Sequence, residues 1–86
     1  MATLIHIIGK QGCGKSVMAE AIQRGMATAE RPVFIIECDE ALYVTNDEVR
    51  AKYGALDTVL ILTDRDWPRH GDLQGQDRLI RISQGA

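Results

Sequence analysis

One stretch of the chain combines glycine, lysine and serine in a spacing that can bind phosphate. Residues 9–16 are Gly-Lys-Gln-Gly-Cys-Gly-Lys-Ser, which matches the phosphate-binding pattern G-x-x-x-x-G-K-[ST] at every fixed position. Its three glycines let the backbone turn tightly and bring N–H groups close to an anion, because no Cβ stands in the way. We expect Lys15 to reach the β- and γ-phosphates of a nucleotide, and the Ser16 hydroxyl to coordinate Mg²⁺.

The chemistry expected of this stretch is the binding of a nucleoside triphosphate, ATP in the first instance, together with Mg²⁺. The start of a helix adds a partial positive charge that also favours anions. The motif contacts only phosphates, so GTP stays an alternative, and so does a glycine-rich turn that binds no nucleotide. The predicted cofactor-binding residues are Gly9, Lys10, Gln11, Gly12, Cys13, Gly14, Lys15, Ser16 and Val17.

The segments on both sides of the motif have the character needed to position it. Thr3 to Ile8 is a short apolar, β-branched run, typical of a strand buried on both faces. Apolar residues after the loop recur at helical spacing, which predicts a helix whose polar residues Glu20, Gln23 and Arg24 face water. The predicted apolar stripe of this helix consists of Val17, Met18, Ala21, Ile22, Met26 and Ala29.

Acidic residues follow two further predicted strands. Asp39 comes after the strand Val33 to Cys38, and Asp64 comes after the strand Thr58 to Leu62. Ligands of open α/β sheets bind beyond the carboxyl ends of the strands, so both carboxylates would face the phosphate loop. Asp64 is predicted to hold Mg²⁺ through water, and Asp39 to orient the attacking water or the metal. Glu37 is the second choice for Asp39, and solvated loop acids are the alternative for both.

The motif resembles that of the P-loop NTPases, and within them the deviant Walker A motif, K-G-G-x-x-K-[ST], of the ParA/MinD ATPases. Lys10 stands where that family carries its extra signature lysine, and Gly12, Lys15 and Ser16 also match, whereas Gln11 replaces the first glycine of the pair. The resemblance implies a nucleotide-bridged dimer in which Lys10 is catalytic and reaches the partner's nucleotide. A solvated lysine is the alternative at this position.

The acidic residues fit the same resemblance in part. Asp39 stands where ParA/MinD proteins carry an aspartate that helps to place the attacking water. Leu62 occupies the place of the aspartate in that family's third motif, and Asp64 is the nearest acid. ParA/MinD domains are also much longer than this chain. The resemblance therefore bears on the nucleotide site and hardly at all on the cellular role.

Two weaker elements complete the pattern. Residues from Thr45 to Glu48 have the form of a capping box, which predicts a short helix ended by Gly54 in a left-handed conformation. Residues from Leu79 to Ile82 predict an edge strand, with Arg78 and Arg81 turned outward.

A long segment without helical or strand periodicity separates the third and fourth strands, over residues 64–76. Loops of this length in small domains are usually functional or disordered. Arg65 or Arg69 could contact the γ-phosphate, Trp67 could stack on the base, or the loop could bind a partner. A plain mobile loop is the alternative.

Composition limits the class of protein. The chain has 86 residues, 45% of them hydrophobic, and a formal net charge of −2, which predicts one domain over residues 1–86. Basic and acidic residues are interspersed, so direct nucleic-acid binding is not expected. The longest apolar runs are too short to cross a membrane, and no secretory leader is visible, so we expect a cytoplasmic protein.

The order of elements predicts an α/β fold. The four-stranded, mostly parallel sheet carries two helices in two or three layers, and the P-loop resemblance implies the strand order 2-3-1-4, with the third strand beside the first. Two helices cannot cover both faces of such a sheet, so a second copy or another protein is expected to cover a bare face or edge. The function predicted is a Mg-ATP-binding association switch with slow or partner-dependent hydrolysis. The alternatives are a relative of the small-molecule or nucleotide kinases and a non-catalytic anion-binding protein.

Overall fold

Helices and strands alternate in the first half of the chain in the computed structural model, which describes residues 2–10, 14–37, 41, 44–64 and 73–82. The elements within those ranges are β1 (Thr3–Ile8), α1 (Lys15–Met26), β2 (Val33–Ile36), α2 (Asn46–Lys52), β3 (Thr58–Thr63) and β4 (Arg78–Arg81). Neither helix in these ranges has the length and apolarity needed to cross a membrane.

All four strands are parallel and lie in the order β2-β3-β1-β4, which confirms the predicted sheet. Thr3 lies opposite Thr58 and Ile8 opposite Thr63, so β1 and β3 pair over their full lengths. These two central strands are apolar almost throughout, because a parallel sheet covered on both faces buries every side chain. Because β1 and β3 are parallel and pair in register, their carboxyl ends lie side by side. The phosphate-binding motif begins there.

One helix lies on each face of the sheet, which makes the domain three-layered. The two helices cover the central strands on both faces, whereas the edge strands β2 and β4 keep exposed residues, as the expected bare edge requires. The core on the α1 side consists of Ile5, Ile7, Ala19, Val33, Leu60 and Leu62. The core on the α2 side consists of Ala2, Leu4, Ile36, Ala41, Val49, Val59 and Ile61. Each central strand contributes alternate residues to the two cores, as the two-residue repeat of a strand requires.

Helix α1 is turned differently from the prediction. Its buried residues are Lys15 and Ala19, whereas Val17 and Met26 of the predicted stripe are 68% and 49% exposed. The predicted placement of Gln23 in water is also wrong, because its Nε2 donates to Val33 O at 2.8 Å and the residue is half-buried. The rotation follows from Lys15, the first residue of the helix, whose side chain points inward.

Helix α2 begins as predicted and ends differently. The Thr45 side chain accepts a hydrogen bond from Glu48 N at 3.1 Å, which caps the helix. Gly54 does not adopt the predicted left-handed conformation, since Gly14 is the one glycine in the described ranges with positive φ. The chain leaves α2 through an extended Tyr53, and Gly54 N donates to Asp57 Oδ2 at 2.7 Å. A side-chain-stabilised turn therefore replaces the glycine cap.

A buried carboxylate ties β1, α2 and the start of β4 together. Asp77 Oδ1 accepts from Leu4 N, and Asp77 Oδ2 accepts from Arg50 Nη2 and Gln74 N, each at 2.8 Å. The Asp77 side chain is fully buried and that of Arg50 almost so. Burial raises the pKa of this carboxyl, but the bonds from Gln74, Leu4 and Arg50 outweigh it and hold the pKa below its usual range.

Candidate phosphate-binding site

The start of α1 has the backbone geometry of an anion site. Gly14, the N-cap residue, has φ 90° and ψ 21°, a left-handed conformation that side chains with a Cβ rarely adopt. Among the described residues no side chain caps the helix, and its first turn contains no acidic residue. The first N–H groups of a helix have no partner within the helix, so they remain available to a ligand here.

Lys15 brings a buried ammonium to the same place. The residue is only 7% exposed, and its Nζ donates to Gly9 O at 2.6 Å and to Lys10 O at 3.1 Å. An ammonium group has three protons to donate, so these two carbonyls leave one proton for a further acceptor. The side chain therefore links the first turn of α1 to the residues that follow β1.

The charge of Lys15 has no acidic counterpart in the part of the chain that the structure describes, where both ion pairs belong to Arg50. A buried charge without a counter-charge is costly, and an anionic ligand would supply that charge. The left-handed Gly14 leaves open space where a Cβ would stand. These three observations fit a phosphate group, with Lys15 and the N–H groups of α1 as its donors.

Ser16 and Asp64, the residues predicted to hold Mg²⁺, lie in the first turn of α1 and directly after the last residue of β3, respectively. Ser16 is exposed in the first turn of α1. Gly9 N donates to Thr63 O at 3.1 Å, so Asp64 is the next residue beside the start of the phosphate loop.

The donor set is compatible with magnesium. Across the described ranges, no three His, Cys, Asp or Glu side chains come close enough to bind a metal ion by themselves. Mg²⁺ in nucleotide sites normally takes one or two protein oxygens and completes its shell with phosphate oxygens and water. One hydroxyl and one carboxylate, those of Ser16 and Asp64, would therefore suffice as the protein's part of such a shell.

Several predicted residues contribute less or cannot be placed. Lys10 is exposed and offers its carbonyl oxygen to Lys15, and the largely exposed Val17 makes no described contact with the loop. Glu37 is exposed at the carboxyl end of β2, where its carbonyl accepts from Ala41 N at 2.9 Å. The predictions that fall on Gln11, Gly12, Cys13, Cys38, Asp39, Arg65, Trp67 and Arg69 lie outside the described residues.

Comparisons with protein-family models, curated proteins and solved structures found no match to this chain. The function must therefore follow from the residues of the site and from what they can bind.

Sequence reasoning missed the buried polar residues that hold the site's scaffold. His6 Nε2 lies 2.9 Å from Asn46 Oδ1, which links the middle of β1 to the first residue of α2. Asp77 and Arg50 make the second link between these layers. The one feature of the sequence that indicates these polar links is His6, inside an apolar strand, because a buried histidine needs a polar partner.

Proposed function

We propose that this protein binds a Mg²⁺-nucleoside triphosphate, ATP in the first instance, at residues 9–16, and that the bound nucleotide controls its association with a second copy or another protein. The observation that carries the proposal is the buried Lys15 ammonium, placed at an uncapped helix start behind a left-handed glycine. The cytoplasm is the proposed compartment, because that is where the nucleotide is abundant.

Each residue has a distinct role in the proposed site. Lys15 and the backbone N–H groups at the start of α1 bind the phosphates, which places positive charge where the triphosphate is most negative. Ser16 and Asp64 hold Mg²⁺, which would neutralise phosphate charge and polarise the bond to be broken. Asp39, with Glu37 as the second choice, orients the attacking water. Lys10 contributes a second cation, and the ParA/MinD resemblance supports its catalytic role across a dimer.

In this proposal, the protein hydrolyses the nucleotide slowly or requires a partner to do so. Phosphoryl transfer is catalysed mainly by positioning and by positive charge around the transferred group. The described residues place Lys15 at the loop, whereas the arginines of residues 65–72 lie outside the described ranges. A partner that supplies a cation would complete such a site, as arginine fingers do in other phosphoryl-transfer proteins.

Isothermal titration calorimetry of ATP, ADP and GTP with Mg²⁺ tests the proposal. We expect wild type to bind one nucleotide per chain and Lys15→Ala to bind at least about a hundredfold more weakly, because buried charge-assisted bonds to phosphate are lost. Arg24→Ala is the matched control, since Arg24 is exposed in the last turn of the same helix. Equal ATP affinity in wild type and Lys15→Ala would refute the phosphate role.

Turnover separates the proposed function from its alternatives. Phosphate release from ATP, alone or with cell extract, supports the nucleoside triphosphatase. Transfer of a labelled γ-phosphate to a small acceptor supports the kinase alternative. Stoichiometric binding without any turnover supports the non-catalytic anion-binding protein.

A further inference from the structure

The edge strand β2 has backbone groups that are available for another strand. Thr58 N donates to Pro32 O at 3.0 Å, which fixes the alternation of the ladder with β3. Residues 32, 34 and 36 therefore point their backbone groups at β3, whereas Val33 and Ile35 point theirs away from the sheet. Gln23 covers the outward carbonyl of Val33. Among the described residues, the N–H and C=O of Ile35 have no partner and form the open part of this edge.

A groove of about 140 Å³ with a mixed apolar and polar lining lies beside this edge, between β2 and α2. Its lining includes Ile36, Val44, Val49 and Tyr53, together with the charged residues Glu48 and Lys52. A cavity of about 150 Å³ holds a benzene molecule, so one aromatic ring matches the size of the groove.

Phe34 has an aromatic side chain of matching size, which lies partly exposed beside the groove. It is 38% exposed, and its centroid lies 4.8 Å from that of Tyr53. Phe34 and Ile36 share the α2 face of the sheet, since their partners Val59 and Ile61 both lie in the α2 core. A strand added beside β2 in antiparallel direction would bring its own residues against this pair.

Charges at the groove are arranged in a self-complementary way. Glu48 and Lys52 are one helical turn apart on α2 and have opposite charges. Neither forms an ion pair within the described ranges, and Lys52 Nζ lies over the Tyr53 ring, 5.6 Å from its centroid. If a second α2 faces the first in antiparallel direction, Glu48 of each copy faces Lys52 of the other.

We propose that two copies of this chain associate through their β2 edges, in antiparallel direction, about a two-fold axis at Ile35. Ile35 N–H donates to the partner's Ile35 carbonyl and the reverse bond forms by symmetry. Phe34 then lies opposite the partner's Ile36 and enters the partner's groove, while Glu48 faces the partner's Lys52. The result is a continuous eight-stranded sheet.

The second copy is favoured as the occupant because strand edge, aromatic ring and charge pair each match themselves under one two-fold axis. A symmetric dimer requires this property of its interface. The inference goes beyond the proposed function, since no contact involves the phosphate loop. The two loops lie at opposite ends of the joined sheet, so Lys10→Ala is expected to leave this dimer unchanged.

Charge reversal across the interface tests the proposal by analytical ultracentrifugation. Glu48→Lys or Lys52→Glu alone places like charges opposite each other twice, and we expect about tenfold weaker self-association. The double variant Glu48→Lys/Lys52→Glu restores opposite pairs and the wild-type dissociation constant. Mixing the two single variants gives a heterodimer of wild-type strength. Glu20→Lys, the same change at an exposed position of α1, is the control.

Failure of this inference is distinguishable from failure of the nucleotide site. A wild type that stays monomeric up to about 1 mM overturns the dimer, even if it captures an extended peptide from another protein. A dimer whose single variants associate as tightly as wild type also overturns it. Calorimetry with Mg-ATP on the same variants is expected to give wild-type affinity. The test of the dimer and the test of the nucleotide site are therefore independent of each other.

Discussion

Lys15 shows how one residue affects the local structure of the candidate site. Its side chain is held near the end of β1 because two carbonyls, those of Gly9 and Lys10, accept its protons. That placement turns the helix about its axis and leaves Val17 in solvent. If α1 were oriented only to bury its apolar residues, the Lys15 side chain would lie in water, away from the phosphates that it is proposed to bind.

Gly14 and Gly25 form a matched pair for testing the loop geometry. Gly14→Ala is expected to lower the free energy of unfolding by about 1 kcal/mol, because a Cβ disfavours its left-handed conformation. Gly25→Ala, inside α1, is expected to raise it by roughly 0.5 kcal/mol through helix propensity. Neither new Cβ meets an atom within 4 Å, so steric overlap does not confuse the comparison. Urea unfolding measures both, and equal effects would contradict the left-handed role.

At the scale of elements, Asp77 fixes the strand that carries the phosphate loop. Its carboxylate bonds β1 at Leu4, α2 at Arg50 and the turn before β4 at Gln74. Removing one partner of a buried ion pair is strongly destabilising, because the other charge stays buried without compensation. The site therefore depends on a carboxylate at the far end of β1 from the loop.

Asp77→Asn is expected to lower the free energy of unfolding by roughly 3 kcal/mol at pH 7. Asp47→Asn is the control: Asp47 pairs with the same Arg50 at 3.3 Å but its side chain is 95% exposed, so the expected loss is below about 0.5 kcal/mol. Denaturant unfolding gives both values. Similar losses of unfolding free energy in the two variants would contradict the larger contribution expected of the buried Arg50–Asp77 pair.

The same carboxylate predicts a pH dependence. The pKa of Asp77 is lower in the folded than in the unfolded protein, so its contribution is fully present above the unfolded value near 3.9. The contribution is lost as pH falls through the folded pKa. When the pH is lowered below about 4, the free energy of unfolding should therefore fall more for wild type than for Asp77→Asn. Denaturant unfolding at a series of pH values measures this, and parallel pH dependences in the two proteins would refute it.

At the scale of the whole molecule, a three-layer domain of 86 residues has little surface to bury. Small domains bury a smaller fraction of their unfolded surface than large ones do, and a ligand or partner that binds the folded state adds to their stability. The candidate anion site at α1 and the edge at β2 are places where binding would stabilise the fold.

Nucleotide binding should therefore raise the thermal stability of the whole chain. At a ligand concentration a hundred times the dissociation constant, Mg-ATP adds about 2.7 kcal/mol to the folded state. In a domain of this size, that corresponds to a rise in Tm of about 10 °C or more. Calorimetric melting of wild type should show this rise, Arg24→Ala should show it too, and Lys15→Ala should not. No rise in wild type would contradict the proposed site.

Much of the architecture could be predicted from local sequence patterns. The apolar, β-branched run before the loop specifies β1, and Thr45 marks the start of α2 by its capping hydrogen bond. Parallel pairing follows from the alternation of elements and from right-handed crossovers, whereas the order of the four strands was implied by the resemblance to P-loop NTPases. The phosphate motif is local too, so its candidate residues are visible in the sequence.

Tertiary structure alone decided the features that depend on distant partners. Arg50 and Asp77 are 27 residues apart, and Leu4 and Asp77 are 73 apart, so no local pattern indicates that they meet. The phase of α1 and the turn at Gly54 were mispredicted, because a lysine bonded to carbonyls and an aspartate bonded to a glycine N–H overrode apolar periodicity and glycine propensity. Side-chain hydrogen bonds, formed only once the chain has folded, made those choices.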